Sequence, residues 1–228
     1  MFSHNINNKF IINTKTEYNI IPFGHRCTSA LACKYSNIRK YSLPFDWIKP
    51  CLPGKIQEIL ENNFDNFIPN VCAGNFTNKY DILFNHFNSD INNGIDDYKR
   101  RIDRFNSIIN RPTKIYFVYI NEDYLYDNAY RQDIFLENNF LEMLTLEKYL
   151  KNKYSTIDFN ILYFDFKTHT IPDNSNIINI VLHTSNIYNE VNSAPYEELR
   201  NYCGKILAEL FETDLVTAYD DSTFNDII

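Results

Sequence analysis

Cys27 is the residue whose type and place suit covalent chemistry. In Ile21-Pro22-Phe23-Gly24-His25-Arg26-Cys27-Thr28-Ser29-Ala30 its thiol lies just past an apolar run, where a helix-forming segment with hydroxyls at its start begins. The unpaired N–H groups and positive dipole end of a helix favour a thiolate and lower its pKa. The same amides would serve as an oxyanion hole for an acyl intermediate, and Gly24 would let the chain turn sharply beneath the thiol. The competing reading is a small buried hydrophobe, which is what most free cysteines are.

A thiol nucleophile needs an imidazole within hydrogen-bond reach, commonly held by a carboxylate or amide. Of five histidines, His86 ends the second predicted strand and His183 the last, so both would face the same rim as Cys27 in a parallel sheet. Both stay open as the base at this point, His183 as the alternative to His86. His4 falls in a polar N-terminal segment, His169 in a loop, and His25 is close to Cys27 only in sequence. Each could equally be a partly exposed polar residue. Asp46, between Phe45 and Trp47, could orient the base or cap a turn. The thiols of Cys33, Cys51, Cys72 and Cys203 read as packing residues.

The elements that must position these groups follow from periodicity. Residues 18–23 form a short apolar run, and a helix follows Cys27. Residues 41–48, with Pro44 and the only Trp, read as extended or turning, and a helix is predicted over 54–62. Residues 79–87 are a second apolar run, and 95–109 present Ile95, Tyr98, Ile102, Phe105 and Ile109 on one helical face. Lys114 to Ile120 is the strongest strand signal, apolar enough to be covered on both faces. A helix over 134–153, strands over 158–166 and 177–183, and a helix over 196–211 complete the chain. This alternation predicts one α/β domain over 16–213, a mainly parallel sheet with helices on both faces, and loose termini over 1–15 and 214–228. In such sheets ligands bind beyond the carboxyl ends of the strands.

Composition narrows the function. A net charge of −7 gives no long-range attraction to nucleic acid or anionic lipid. Lys99, Arg100, Arg101 and Arg104 sit among Asp96, Asp97 and Asp103, which reads as a solvated ion-paired face; the alternative is that Arg100, Arg101 and Arg104 join Trp47 in binding a substrate's anionic groups. Five unclustered cysteines, with no C-x-x-C or H-E-x-x-H, fit a reducing, cytoplasmic setting without disulfides or metal. No apolar run suits a signal peptide or a membrane span. Only five glycines exist, too far apart for a dinucleotide or phosphate loop, so no cofactor is expected.

Gly24-x-x-Cys27, then Tyr41-Ser42-Leu43-Pro44-Phe45-Asp46-Trp47-Ile48, Phe84-x-His86, and Tyr98-x-Arg100-Arg101-Ile102-x-Arg104-Phe105 resemble, in order and spacing, a bacterial and large-virus family of papain-like cysteine peptidases. The resemblance covers roughly residues 20–166. It implies a Cys–His site with Cys27 as nucleophile, His86 as base and Asp46 as third member, working in the host cytoplasm if the chain is viral. It also implies an alternative fold, α+β, with the nucleophilic helix set against an antiparallel sheet. Three functions follow: a cysteine hydrolase acting on a peptide or protein acyl group, a transferase moving an acyl group from a carrier to a glycan or protein, or a binding module without catalysis.

Overall fold

A computed structural model of the chain describes residues 2–7, 12, 14–24, 26–49, 51–69, 76–84, 86–88, 90–122, 139–184 and 194–215. Five strands make the main sheet: β1 (Phe2–Asn7), β2 (Tyr18–Phe23), β5 (Lys114–Ile120), β6 (Phe159–Asp165) and β7 (Ile177–Thr184), in the order β1-β7-β6-β5-β2. β2, β5, β6 and β7 run parallel, and β1 pairs antiparallel with β7 from Phe2↔Thr184 to Asn7↔Asn179. A separate ribbon joins β3 (Ile48–Lys49) to β4 (Leu83–Phe84). The mainly parallel α/β architecture is the one the alternating pattern predicts; the α+β alternative gives way to it.

Because strand side chains alternate in direction, each parallel strand serves two cores. Ile21, Phe23, Ile115, Phe117, Tyr119, Ile161 and Tyr163 face one layer, packed by α2 (Pro53–Glu61), α3 (Ile91–Ile109) and α4 (Asn139–Lys153). Ile20, Tyr116, Val118, Ile120, Leu162 and Phe164 face the other, under α1 (Thr28–Tyr35) and α5 (Ala194–Phe211). Burial on both sides explains why β5 reads as an unbroken apolar run. The first layer is dominated by rings: Phe45 packs within 6.0 Å centroid distance of Phe23, Phe64, Phe67 and Phe105. Full burial of a phenylalanine stabilises by roughly 1.5–3 kcal/mol.

Two expectations are corrected. Residues 2–7, expected to be part of a loose terminus, form an edge strand; Phe2 and Ile6 pack on the second core while Ser3 and Asn5 are exposed. Backbone pairing to β7 supplies most of the interaction, so few apolar side chains are needed, and the polar composition conceals the alternation. The second predicted strand, 79–87, does not enter the main sheet. Only Leu83–Phe84 pair, with β3 in the ribbon, and the apolar content of the segment is spent on the helical layer, where Tyr80, Ile82 and Phe84 are buried in the first core.

Candidate functional site

β2 ends at Phe23, and the chain turns into α1 through residues 24–27. A Cβ on Gly24 would stand 2.5 Å from the Arg26 carbonyl oxygen and 2.7 Å from that of Phe45, so only glycine fits. Arg26 has φ 102°, a region costing a non-glycine residue about 1–3 kcal/mol, and its amide donates to Ile48 O at 3.0 Å. Cys27 is the N-cap of α1, where its carbonyl accepts from Leu31 N at 2.9 Å. The thiol therefore sits on a strained strand-to-helix turn at the carboxyl end of a parallel strand.

The expected thiolate stabilisation does not follow from that place. Burial pushes the Cys27 thiol up from its ordinary pKa, and the Glu122 carboxylate pushes it further, against smaller opposite contributions from Arg200, its own backbone and Arg26. The side chain makes no capping hydrogen bond to the amides of the first turn. Glu122, 2% exposed, follows β5 by two residues and lies with Oε2 3.8 Å from Arg26 Nε. The other described thiols, Cys33, Cys51 and Cys203, are buried packing residues; Cys72 and His25 lie outside the described residues.

Part of the predicted site does gather beside this turn. Asp46 is fully buried, and its Oδ2 accepts from Arg39 Nη2 at 2.5 Å and from Leu43 N at 2.8 Å, bonds that hold the turn entering Trp47. Trp47 carries the Arg39 guanidinium over one face, 5.3 Å from its centroid, and meets His86 edge-on at 5.6 Å. His86 follows the short β4, so it belongs to the ribbon and not to a strand of the main sheet; its side chain is exposed. His183 lies one residue before the end of β7, with β6 and β5 between its strand and β2, and its Nε2 is 3.3 Å from Asn5 Nδ2.

The arginines divide. Arg100 pairs with Asp97 at 2.7 Å and Lys99 with Asp96 at 3.2 Å on the exposed face of α3. Arg104 is half-buried, and Arg101 is buried with its guanidinium 4.7 Å over the Tyr98 ring, which packs on Phe84 and Phe87 of the ribbon region.

A family model described as "Putative papain-like cysteine peptidase (DUF1796)" matches residues 18–72. The resemblance to that family is thus shown over β2, the Cys27 turn, α1, the Asp46–Trp47 turn and α2, about a quarter of the chain. No curated protein and no solved structure matches this chain. The matched span includes Cys27, Asp46 and Trp47 and stops short of every described histidine beyond the N-terminal strand.

Sequence reasoning passed over a second polar cluster on the same rim. Asp165, the last residue of β6, is 4% exposed, and its Oδ2 lies 2.6 Å from His169 Nε2. Oδ1 accepts from Phe166 N at 2.7 Å and from Asn121 Nδ2 at 3.2 Å; Asn121 Oδ1 in turn accepts from Asn139 Nδ2 at 3.4 Å. The imidazole stacks on Phe140 of α4 at 4.0 Å, and the His169 amide donates to Asn179 Oδ1 at 3.1 Å. An aspartate ending a strong predicted strand with a histidine four residues later was the available signal. Among the described residues no group of three or more His, Cys, Asp or Glu is arranged to hold a metal ion, and no helix is long and apolar enough to cross a membrane.

Proposed function

We propose that the chain is a cysteine hydrolase that cleaves an acyl bond in a peptide or protein, with Cys27 as nucleophile. The observation that carries this reading is the seat of the thiol: half-buried, on a strained turn that only glycine permits, at the carboxyl end of a parallel strand. The family resemblance over residues 18–72 supports the same class of chemistry.

Burial and the Glu122 carboxylate both disfavour the thiolate form of Cys27. An imidazole must take the proton as the carbon–sulfur bond forms. His86 is the imidazole that the motif spacing singles out, and His169 is the one held by a buried carboxylate.

Acylation tests the reading. Wild-type protein and Cys27→Ser are incubated with p-nitrophenyl acetate near neutral pH, and the acetylated peptide is located by mass spectrometry. A stoichiometric burst of nitrophenolate with the acetyl group on Cys27, absent from Cys27→Ser, is expected. Modification spread over exposed lysines and thiols, with Cys27 untouched, sinks the proposal.

A further inference from the structure

We propose that Glu122 is the base that activates water to hydrolyse the Cys27 thioester, so that the second half of the reaction runs on a carboxylate in the same layer as the thiol. This deepens the hydrolase reading and rests on Cys27 being its nucleophile; it leaves the proton of the first half to an imidazole.

The first argument is placement. β5 is the neighbour of β2, with Tyr119 level with Phe23, so the two strands end side by side, about 4.8 Å apart. The start of α1 is docked on the end of β5, where the buried Ser29 Oγ accepts from Ile120 N at 3.2 Å. Side chains alternate along an extended chain, and Ile120 faces the second core, under α1 and α5. Glu122, two residues on, returns to that face, whereas Asn121 turns to Asp165 on the other. Two observations agree with this. Glu122 Oε2 lies 3.8 Å from Nε of Arg26, the residue before Cys27. After burial, the Glu122 carboxylate is the next influence pushing up two thiols of this layer, Cys27 at the head of α1 and Cys203 within α5.

The second argument is chemical. In the resting protein this carboxylate works against the thiolate, which does nothing for a nucleophile. In the acyl-enzyme the sulfur is uncharged, the opposition vanishes, and a carboxylate beside the thioester can take a proton from water as it adds to the carbonyl carbon. Cys27 is partly exposed, so water has access to its thioester. The surroundings that push the thiol up also make the sulfur a poor leaving group as a thiolate, so it must be protonated as it departs. A Glu122 that has just taken the proton of water is the acid that supplies it.

The step balances with water as the only co-reactant. The water oxygen bonds to the acyl carbon while its proton goes to a Glu122 oxygen. The carbon–sulfur bond then breaks with its electron pair going to sulfur, and Glu122 returns the proton there. A carboxylic acid, the free thiol and an ionised Glu122 result.

The test is hydrolysis of p-nitrophenyl acetate by wild type, Glu122→Gln and Glu122→Asp, with folding checked by thermal unfolding. Wild type should release a stoichiometric burst of nitrophenolate and then turn over steadily. Glu122→Gln, which keeps the shape and removes the charge, should keep the burst, lose about 10²–10⁴-fold of the steady rate, and accumulate acetylated Cys27 by mass spectrometry. Hydroxylamine, which attacks a thioester unaided, should then restore the free thiol. If Glu122→Gln does not fold, Glu122→Asp carries the test, because its shorter carboxylate should likewise let acetylated Cys27 accumulate. Steady turnover within about twofold of wild type in the folded variant, or loss of the burst together with turnover, overturns this inference while leaving Cys27 as nucleophile. A wild type that acetylates once and stops overturns it too. Absence of any acetyl group on wild-type Cys27 overturns both this inference and the hydrolase reading.

Discussion

The two halves of the sheet's rim are held by different means. Cys27 owes its position to backbone: a glycine that no other residue can replace, an arginine at positive φ, and an amide bonded to the ribbon. His169 owes its position to side chains: a carboxylate at 2.6 Å, two asparagines behind it and a phenylalanine ring against its face. A turn made by backbone geometry tolerates variation in the surrounding side chains but not at the turn. A polar network held by side chains fails when one member is removed, because the buried partners it leaves behind are then unsatisfied.

The sharpest way to break this contrast is at the network. His169→Gln should cost about 1–3 kcal/mol of stability, because the buried Asp165 carboxylate loses the imidazole that meets it, read by urea unfolding. At the turn, Gly24→Ala should cost roughly 1–3 kcal/mol of stability, since the new methyl group meets two carbonyl oxygens of the backbone rather than a movable side chain. Urea unfolding at constant slope measures it, and a neutral result would show that the turn yields.

Glu122 belongs to the thiol half, and its charge sets the sign of a smaller effect. The carboxylate disfavours the Cys27 thiolate, so Glu122→Gln should move the pH dependence of iodoacetamide labelling at Cys27 to lower pH, with burial still holding the thiol above its ordinary value. A shift to higher pH would mean that the carboxylate acts mainly by holding Arg26 in place. The smallest change is expected at the ribbon: His86→Gln alters an exposed ring resting on Trp47, and the acylation rate should move by no more than about 0.5 kcal/mol. A loss of about 10²-fold or more would assign the base to His86.

Much of this molecule was legible as a string of residues. β5 is found where its β-branched and aromatic run predicts it, β6 and α2 differ from expectation by one residue at each end, and β7 by one residue at its end. Cys27 at a strand-to-helix turn was also legible, because Gly24 and the hydroxyls after the cysteine are local signals. The ribbon was not: residues 79–87 carry the apolar content of a strand, and no local feature says that only Leu83 and Phe84 will pair, or with what. His86 was placed on the main rim for that reason.

The sequence by itself determined the class of fold and the position of the thiol, since both depend on hydrophobic period and turn chemistry within a few residues. Only the tertiary structure decided which strands became neighbours, and hence that residues ending β2, β5 and β6 share one rim. It also decided that Asp46 is spent on Arg39 and Leu43 whereas Asp165 is spent on His169. Strand order and the partner of a buried carboxylate are set by contacts between residues far apart in the chain, here 44 positions between Asn121 and Asp165, a separation that no local pattern records.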